Sequence, residues 1–214
     1  MPGNALKSPG RVLALMQRGL EQLYRVETEL SVDDFVIDEA TRDAYATERS
    51  PREQLLVREA DGDLELALYV CPRALANLAA NDPRASLDAG NLQDFLLALE
   101  GVSHFVYVAY CARQERPVSA LELELQAEVD KYLTCALTSG ADWRVRLFER
   151  FTLDPALGAE ERERYLVANE NARAYADALH GRYIARGALP DLLGEVRAFY
   201  RLGMAAKLER IRRG

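Results

Sequence analysis

The chain has 214 residues, 49% hydrophobic and 29% charged, with 13 glycines and 8 prolines; this composition suits a soluble globular protein and excludes a disordered or fibrous one. Its net charge of −7 at pH 7 argues against indiscriminate binding to a phosphate backbone. Cys71, Cys111 and Cys135 form no C-x-x-C pair and have no histidine spaced for zinc, so they read as small buried hydrophobes rather than as a disulfide framework or metal site.

The N-terminus, MPGNALKSPGRVLALM, lacks the hydrophobic length and cleavage pattern of a signal peptide. Residues 11–27 repeat Val12, Leu13, Leu15, Met16, Leu20, Leu23 and Tyr24 at helical spacing, an amphipathic helix. DFVIDE, residues 34–39, has a short β-prone centre. Further on, Leu64, Leu66, Leu68 and Val70 alternate with Glu65, Ala67 and Tyr69, the two-residue period of a strand with one buried face. Asp61-Gly62 separates this run from LLVREA and suits a tight hairpin turn. The FVI segment is expected to extend the hairpin into a small antiparallel meander, because an isolated hairpin is marginal.

After Pro72 the pattern is helical. Asn91 is placed to cap NLQDFLLALEG, with Asp94 three residues on, and Gly140 and Gly187 stand where helix C-termini favour a left-handed residue. Asp154-Pro155 and Pro190-Asp191 read as the openings of later helices. Ser119 and Glu122 fit an S-x-x-E capping box, with Val118 and Leu123 as the staple, so the LELEL core that follows is helix rather than strand. On that helix Leu121, Leu125, Val129, Tyr132 and Ala136 make the core stripe, while Glu124, Glu128 and Lys131 project to a flank expected to be solvated or salt-bridged.

His104 stands inside GVSHFVYVAYCA, residues 101–112, in a helix apolar nearly all round. Its longest apolar run, residues 105–112, falls well short of the roughly 20 residues of a membrane span, and the chain is expected to be cytoplasmic with no membrane partner. A buried imidazole needs a hydrogen-bonding partner. Folding back at residues 115–117 would bring His104 opposite residues 128–132, which makes Glu128 or Asp130 its expected partner, with Glu100 and Ser103 as local alternatives. Such a pair serves either a satisfied structural histidine, the favoured reading, or a general base.

Glu170, Arg173, Asp177 and His180 line one face of a later helix, opposite the stripe Tyr165, Ala168, Ala172, Tyr175, Leu179 and Tyr183, so they are expected to face water or a partner. Residues 182–214 hold eight Lys or Arg against three acids, net +5, leaving −12 on residues 1–181. Arg197, Arg201 and Arg212 are read as one basic edge of the last helix, serving either internal acids or an acidic partner.

The fold expected is α+β and predominantly α-helical: a helix and small antiparallel β-hairpin or meander in residues 1–72, then a bundle of about four long helices in 73–214, or one continuous α+β domain. Three functions fit: a non-enzymatic cytoplasmic interaction, scaffold or regulatory protein, partnered by protein or by itself; a small-molecule enzyme or ligand-binding protein with a site at His104, Glu128 and Asp130; and a nucleic-acid-associated protein using the basic C-terminal helix, which the net charge disfavours. No catalytic residue, metal site or cofactor is indicated.

Overall fold

The computed structural model describes residues 9–45, 51–60, 63–150, 153 and 155–214. It is predominantly helical with one two-stranded antiparallel sheet, an α+β fold. The chain forms two compact units, Met1–Glu21 with Glu27–Gln114, and Gln22–Val26 with Glu115–Gly214. The change of period at residue 72 is therefore a change of secondary structure within the first unit.

In the first unit, α1 (Pro9–Tyr24) contributes Val12, Leu13, Met16 and Leu20 to the core, as its spacing requires. Gln17, buried on the same helix, ties down the chain that follows: its Nε2 donates to Thr28 Oγ1 (2.9 Å) and Leu30 O (2.6 Å), and its Oε1 accepts from the Val32 amide (2.8 Å). A 3-10 turn over Val32–Phe35 and the short α2 (Glu39–Tyr45) lead to β1 (Glu53–Ala60) and β2 (Asp63–Val70). Their register pairs Glu53 with Val70 and Ala60 with Asp63; the turn assigned to Asp61-Gly62 lies outside the described residues. The FVI segment does not become a third antiparallel strand. It makes one parallel bridge, Val36 to Leu68, with Ile37 N–H donating to Leu68 O at 2.9 Å.

The hairpin and α3 (Pro72–Ala80) pack on α4 (Leu92–Arg113), where every residue from 101 to 109 is buried. Among the described residues α4 alone is long and apolar enough to cross a membrane, and 72% of its most apolar window is buried inside the protein. Counting only the uninterrupted run of residues 105–112 understated that length, because Ser103 and His104 break the run but not the helix. Asn91 precedes α4 without capping it. Its Oδ1 accepts from the Asp88 amide (3.0 Å) and its Nδ2 donates to Ser86 O (2.7 Å), so it braces the preceding loop.

Gly101 permits the closest approach in this unit. A Cβ there would lie 2.9 Å from Glu53 Cγ, Glu53 Oε1 and Leu68 Cδ1, and Leu68 has no exposed surface into which to move.

In the second unit, α5 (Ala120–Ser139) is helical through LELEL and is capped by Ser119, whose hydroxyl accepts from the Glu122 amide at 3.2 Å. The Glu122 carboxylate accepts from Arg116 at 2.8 Å. Gly140 closes α5 at φ 67°, and Gly187 holds φ 66° after a 3-10 turn over Ile184–Arg186. After a π-helical turn (Val145–Glu149), α6 (Ala159–Arg182) packs on α5. It starts at Ala159, where Glu161 accepts from the Gly158 amide (3.2 Å); Pro155 lies in the preceding turn, and Asp154 is outside the described residues. Proline does stand in the first turn of α7 (Leu189–Tyr200). That helix is not the last: the chain breaks at residues 201–203, and α8 (Met204–Arg212) follows. Tyr175 stacks on Phe199 (4.0 Å between centroids) and Tyr24 on Tyr200 (3.9 Å).

Gly101→Ala should lower the unfolding free energy by about 1–3 kcal/mol through overpacking, measured by urea denaturation; unchanged stability would show that the hairpin can lift off α4 freely. Ser119→Ala should remove about 0.5–2 kcal/mol through loss of the α5 cap, and an unaltered thermal midpoint would contradict the capping role.

Candidate functional site

His104 sits in the middle of α4, where the helix is covered on all sides, and its side chain is 10% exposed. One turn earlier Gly101 lacks a side chain, and β1 uses that space: the Glu53 carboxylate lies over Gly101 and reaches the imidazole, with Glu53 Oε1 3.8 Å from His104 Nδ1. Glu53 is itself only 9% exposed at its side chain. Glu100, one turn before His104 on the same helix and half-buried, brings a carboxylate oxygen within 4.8 Å of an imidazole nitrogen. In the first unit the imidazole thus has one carboxylate near it from β1 and another from its own helix.

The 3.8 Å separation is longer than a hydrogen bond. It is an electrostatic contact between a strand residue and a helix residue. The sequence reading named Glu100 as a local alternative but missed Glu53, because spacing along one helix carries no information about a residue 51 positions away on a strand. The available signal was Gly101, an unexplained glycine in the middle of an apolar helix.

Glu128 and Asp130 belong to the second unit and are matched there. Glu128 Oε1 accepts from Lys131 Nζ at 2.7 Å. Asp130 accepts from Gln126 Nε2 (2.8 Å) and from the Tyr24 hydroxyl, while Gln126 Oε1 accepts from Lys207 Nζ at 2.6 Å. Lys207 has no exposed surface and its ammonium lies 5.1 Å from the Phe199 ring centroid. Burial first, and then the Asp130 charge, raise the Tyr24 phenol well above its ordinary pKa, so it remains a donor. The flank of Glu124, Glu128 and Lys131 is salt-bridged, as one expected alternative had it, but it is buried rather than solvated. Its charges are balanced by neighbours such as Arg164, 3.6 Å from Glu124.

Arg197 and Arg201 also work inside this unit. Arg197 Nε donates to Leu23 O (2.8 Å), and Arg201 Nη2 donates to Tyr24 O (3.2 Å) and Arg25 O (3.3 Å). These are the last carbonyls of α1, left without helical donors where Arg25 turns to φ 52°, and a cation there also complements the helix dipole. Arg212 stands apart on α8, its Nε donating to Leu208 O at 3.2 Å, so the three arginines do not share one helix edge.

Glu170, Arg173 and Asp177 are exposed, as their spacing required, and His180 is half-buried. Asp177 accepts from Arg144 (2.8 Å), and Arg173 donates to Glu149 (2.8 Å). The Arg144 guanidinium also holds the Asp142 carboxyl down to about 2. Cys111 and Cys135 are buried, and burial pushes the Cys135 thiol up to about 12. Cys71 is half-buried ahead of α3; burial raises its pKa, but the Ala74 and Arg73 amides and Arg52 together leave it below the ordinary thiol value.

Comparison with protein-family models, with curated proteins and with solved structures finds no match for the chain. The chemistry of its own side chains is therefore the basis for function.

Lys207→Ala should leave Gln126 and Asp130 buried without the ammonium and lower stability by about 3–5 kcal/mol, read by chemical denaturation. A loss under about 1 kcal/mol would show that surrounding groups and water compensate the network.

Proposed function

We propose that this is a ligand-binding protein whose site is the His104–Glu53 locus of the first unit. The observation that carries the reading is the buried imidazole and carboxylate held at 3.8 Å across Gly101. At 3.8 Å these groups have a spacing compatible with two side chains that share a third atom between them. Binding sites typically combine a few polar groups with apolar surroundings, and the polar pair here lies among the buried apolar residues of the middle of α4.

The interaction reading drew its positive support from the basic C-terminal edge. Arg197 and Arg201 are instead engaged with the carbonyls that end α1, which leaves the His104 locus as the better-supported basis for function.

The test uses the full chain and the small-molecule ultrafiltrate of a cell lysate. The filtrate should raise the thermal midpoint and shift the His104 imidazole resonances of the wild type, and should do neither to a folded Glu53→Gln variant. Equal responses in the two proteins, or none in the wild type, would overturn the reading.

A further inference from the structure

We propose that the outer edge of β1 pairs with the same edge of a second copy of this chain, joining two hairpins into one four-stranded antiparallel sheet. The hairpin's ladder fixes which residues face that edge. Cys71 N–H donates to Arg52 O at 2.7 Å, and residues 52 and 71 continue the register that pairs Glu53 with Val70. In an antiparallel pair, directly opposed residues alternate between exchanging hydrogen bonds and exchanging none. Arg52, Gln54, Leu56 and Arg58 therefore bond towards β2, while Glu53, Leu55, Val57 and Glu59 turn their backbone N–H and C=O groups away from it. The two edges of the sheet are unequal. On β2 the Val36 bridge and the Ile37 amide engage Leu68. On β1 no further strand, and no backbone hydrogen bond, reaches Leu55, Val57 or Glu59 among the described residues.

Such an edge is a template for another strand unless proline, lysine or a bulge blunts it. β1 has none of these: it runs EQLLVREA in unbroken register over 8 residues, with Leu55, Leu56 and Val57 at its centre and Val57 47% exposed. The occupant follows from the strand's own pattern. Two copies related by a two-fold axis pair antiparallel, and outward-facing residues must oppose outward-facing ones. Centred on Leu56, that register sets Leu55 against Val57 in both directions, Leu56 against its own copy and Gln54 against Arg58. Each inner pair is then apolar or joins a cation to an amide. Centred on Leu55 the edge would oppose Arg52 to Arg58, and centred on Val57 it would set Leu55 against Glu59 and Leu56 against Arg58. Only the outermost pair of the favoured register, Glu53 with Glu59, is like-charged, which keeps the association weak and dependent on concentration. Pairing also strengthens the sheet itself, since two strands alone are marginal.

The experiment weighs the full chain by sedimentation equilibrium from about 5 to about 500 μM, a range that brackets a weak association. The average mass should rise from one chain towards two. Hydrogen exchange followed by NMR on the wild type reads the edge without any variant. The Leu55 and Val57 amides should slow as concentration rises, whereas Gln54 and Leu56, already bonded to β2, should be slow at every concentration. Val57→Pro removes an outward N–H, where an edge strand tolerates proline. It should stay a single chain throughout while keeping the wild-type circular dichroism. Glu59→Lys turns the like-charged outer pair into an opposite-charged one at both ends and should tighten the dimer about 5-fold. A wild type that stays single, Leu55 and Val57 amides indifferent to concentration, or a dimer that Glu59→Lys leaves no tighter would overturn the proposal. Should Val57→Pro unfold, Val57→Lys makes the same test with a charge that blunts the edge; a dimer of wild-type strength in the folded variant excludes this edge as the interface.

Discussion

The missing side chain at Gly101 is the constraint on which the first unit depends. A helix apolar on every face has no preferred direction in which to present a polar group, and α4 is buried through its middle third. The hairpin resolves this by lying directly on the helix at its one bare position. Leu68 supplies the apolar contact, and Glu53, on the strand paired with it, brings a carboxylate to His104. One contact therefore does two things: it fixes the sheet on the helix and creates the polar locus. The rest of the unit supports it, with Gln17 organising the chain after α1 and the Val36 bridge covering the second edge of β2.

The second unit handles buried charge differently. Its carboxylates on α5 are each matched to a named cation or donor: Glu122 to Arg116, Glu124 to Arg164, Glu128 to Lys131, and Asp130 to Gln126 and Tyr24, with Lys207 behind Gln126. Such matching is what keeps a charged helix tolerable in a core, since an unmatched ion there would be strongly destabilising. Glu128 and Asp130, candidates for a site in the sequence, are held within this matching. Its charged residues are internal ties, and the same holds for Arg197 and Arg201, which satisfy the carbonyls at the end of α1.

Much of the architecture was legible in the sequence because it depends on local rules. The two-residue alternation of Leu64 to Val70 forms β2, the capping serine at position 119 forces LELEL into a helix, and Gly140 and Gly187 take the left-handed conformations expected of them. The misses depend on contacts distant in sequence or on competition between partners. Asn91 has the right identity for a cap but finds better partners in the Asp88 amide and Ser86 carbonyl. The break after Tyr200 was hidden because Ile211 continues the apolar stripe across Gly203, which is the N-cap of a separate helix. Glu53 was invisible because nothing in a strand's own pattern says which helix residue it will meet.

The central claim is that Glu53 and His104 act as one unit across Gly101, and a double-mutant cycle tests it most directly. Glu53→Ala, His104→Ala and the double variant would be compared by urea denaturation. If the two groups are coupled as the geometry requires, the double variant should depart from the sum of the single effects by about 0.5–3 kcal/mol. Additivity within about 0.3–0.5 kcal/mol would contradict the account, leaving a histidine and a glutamate that are merely neighbours.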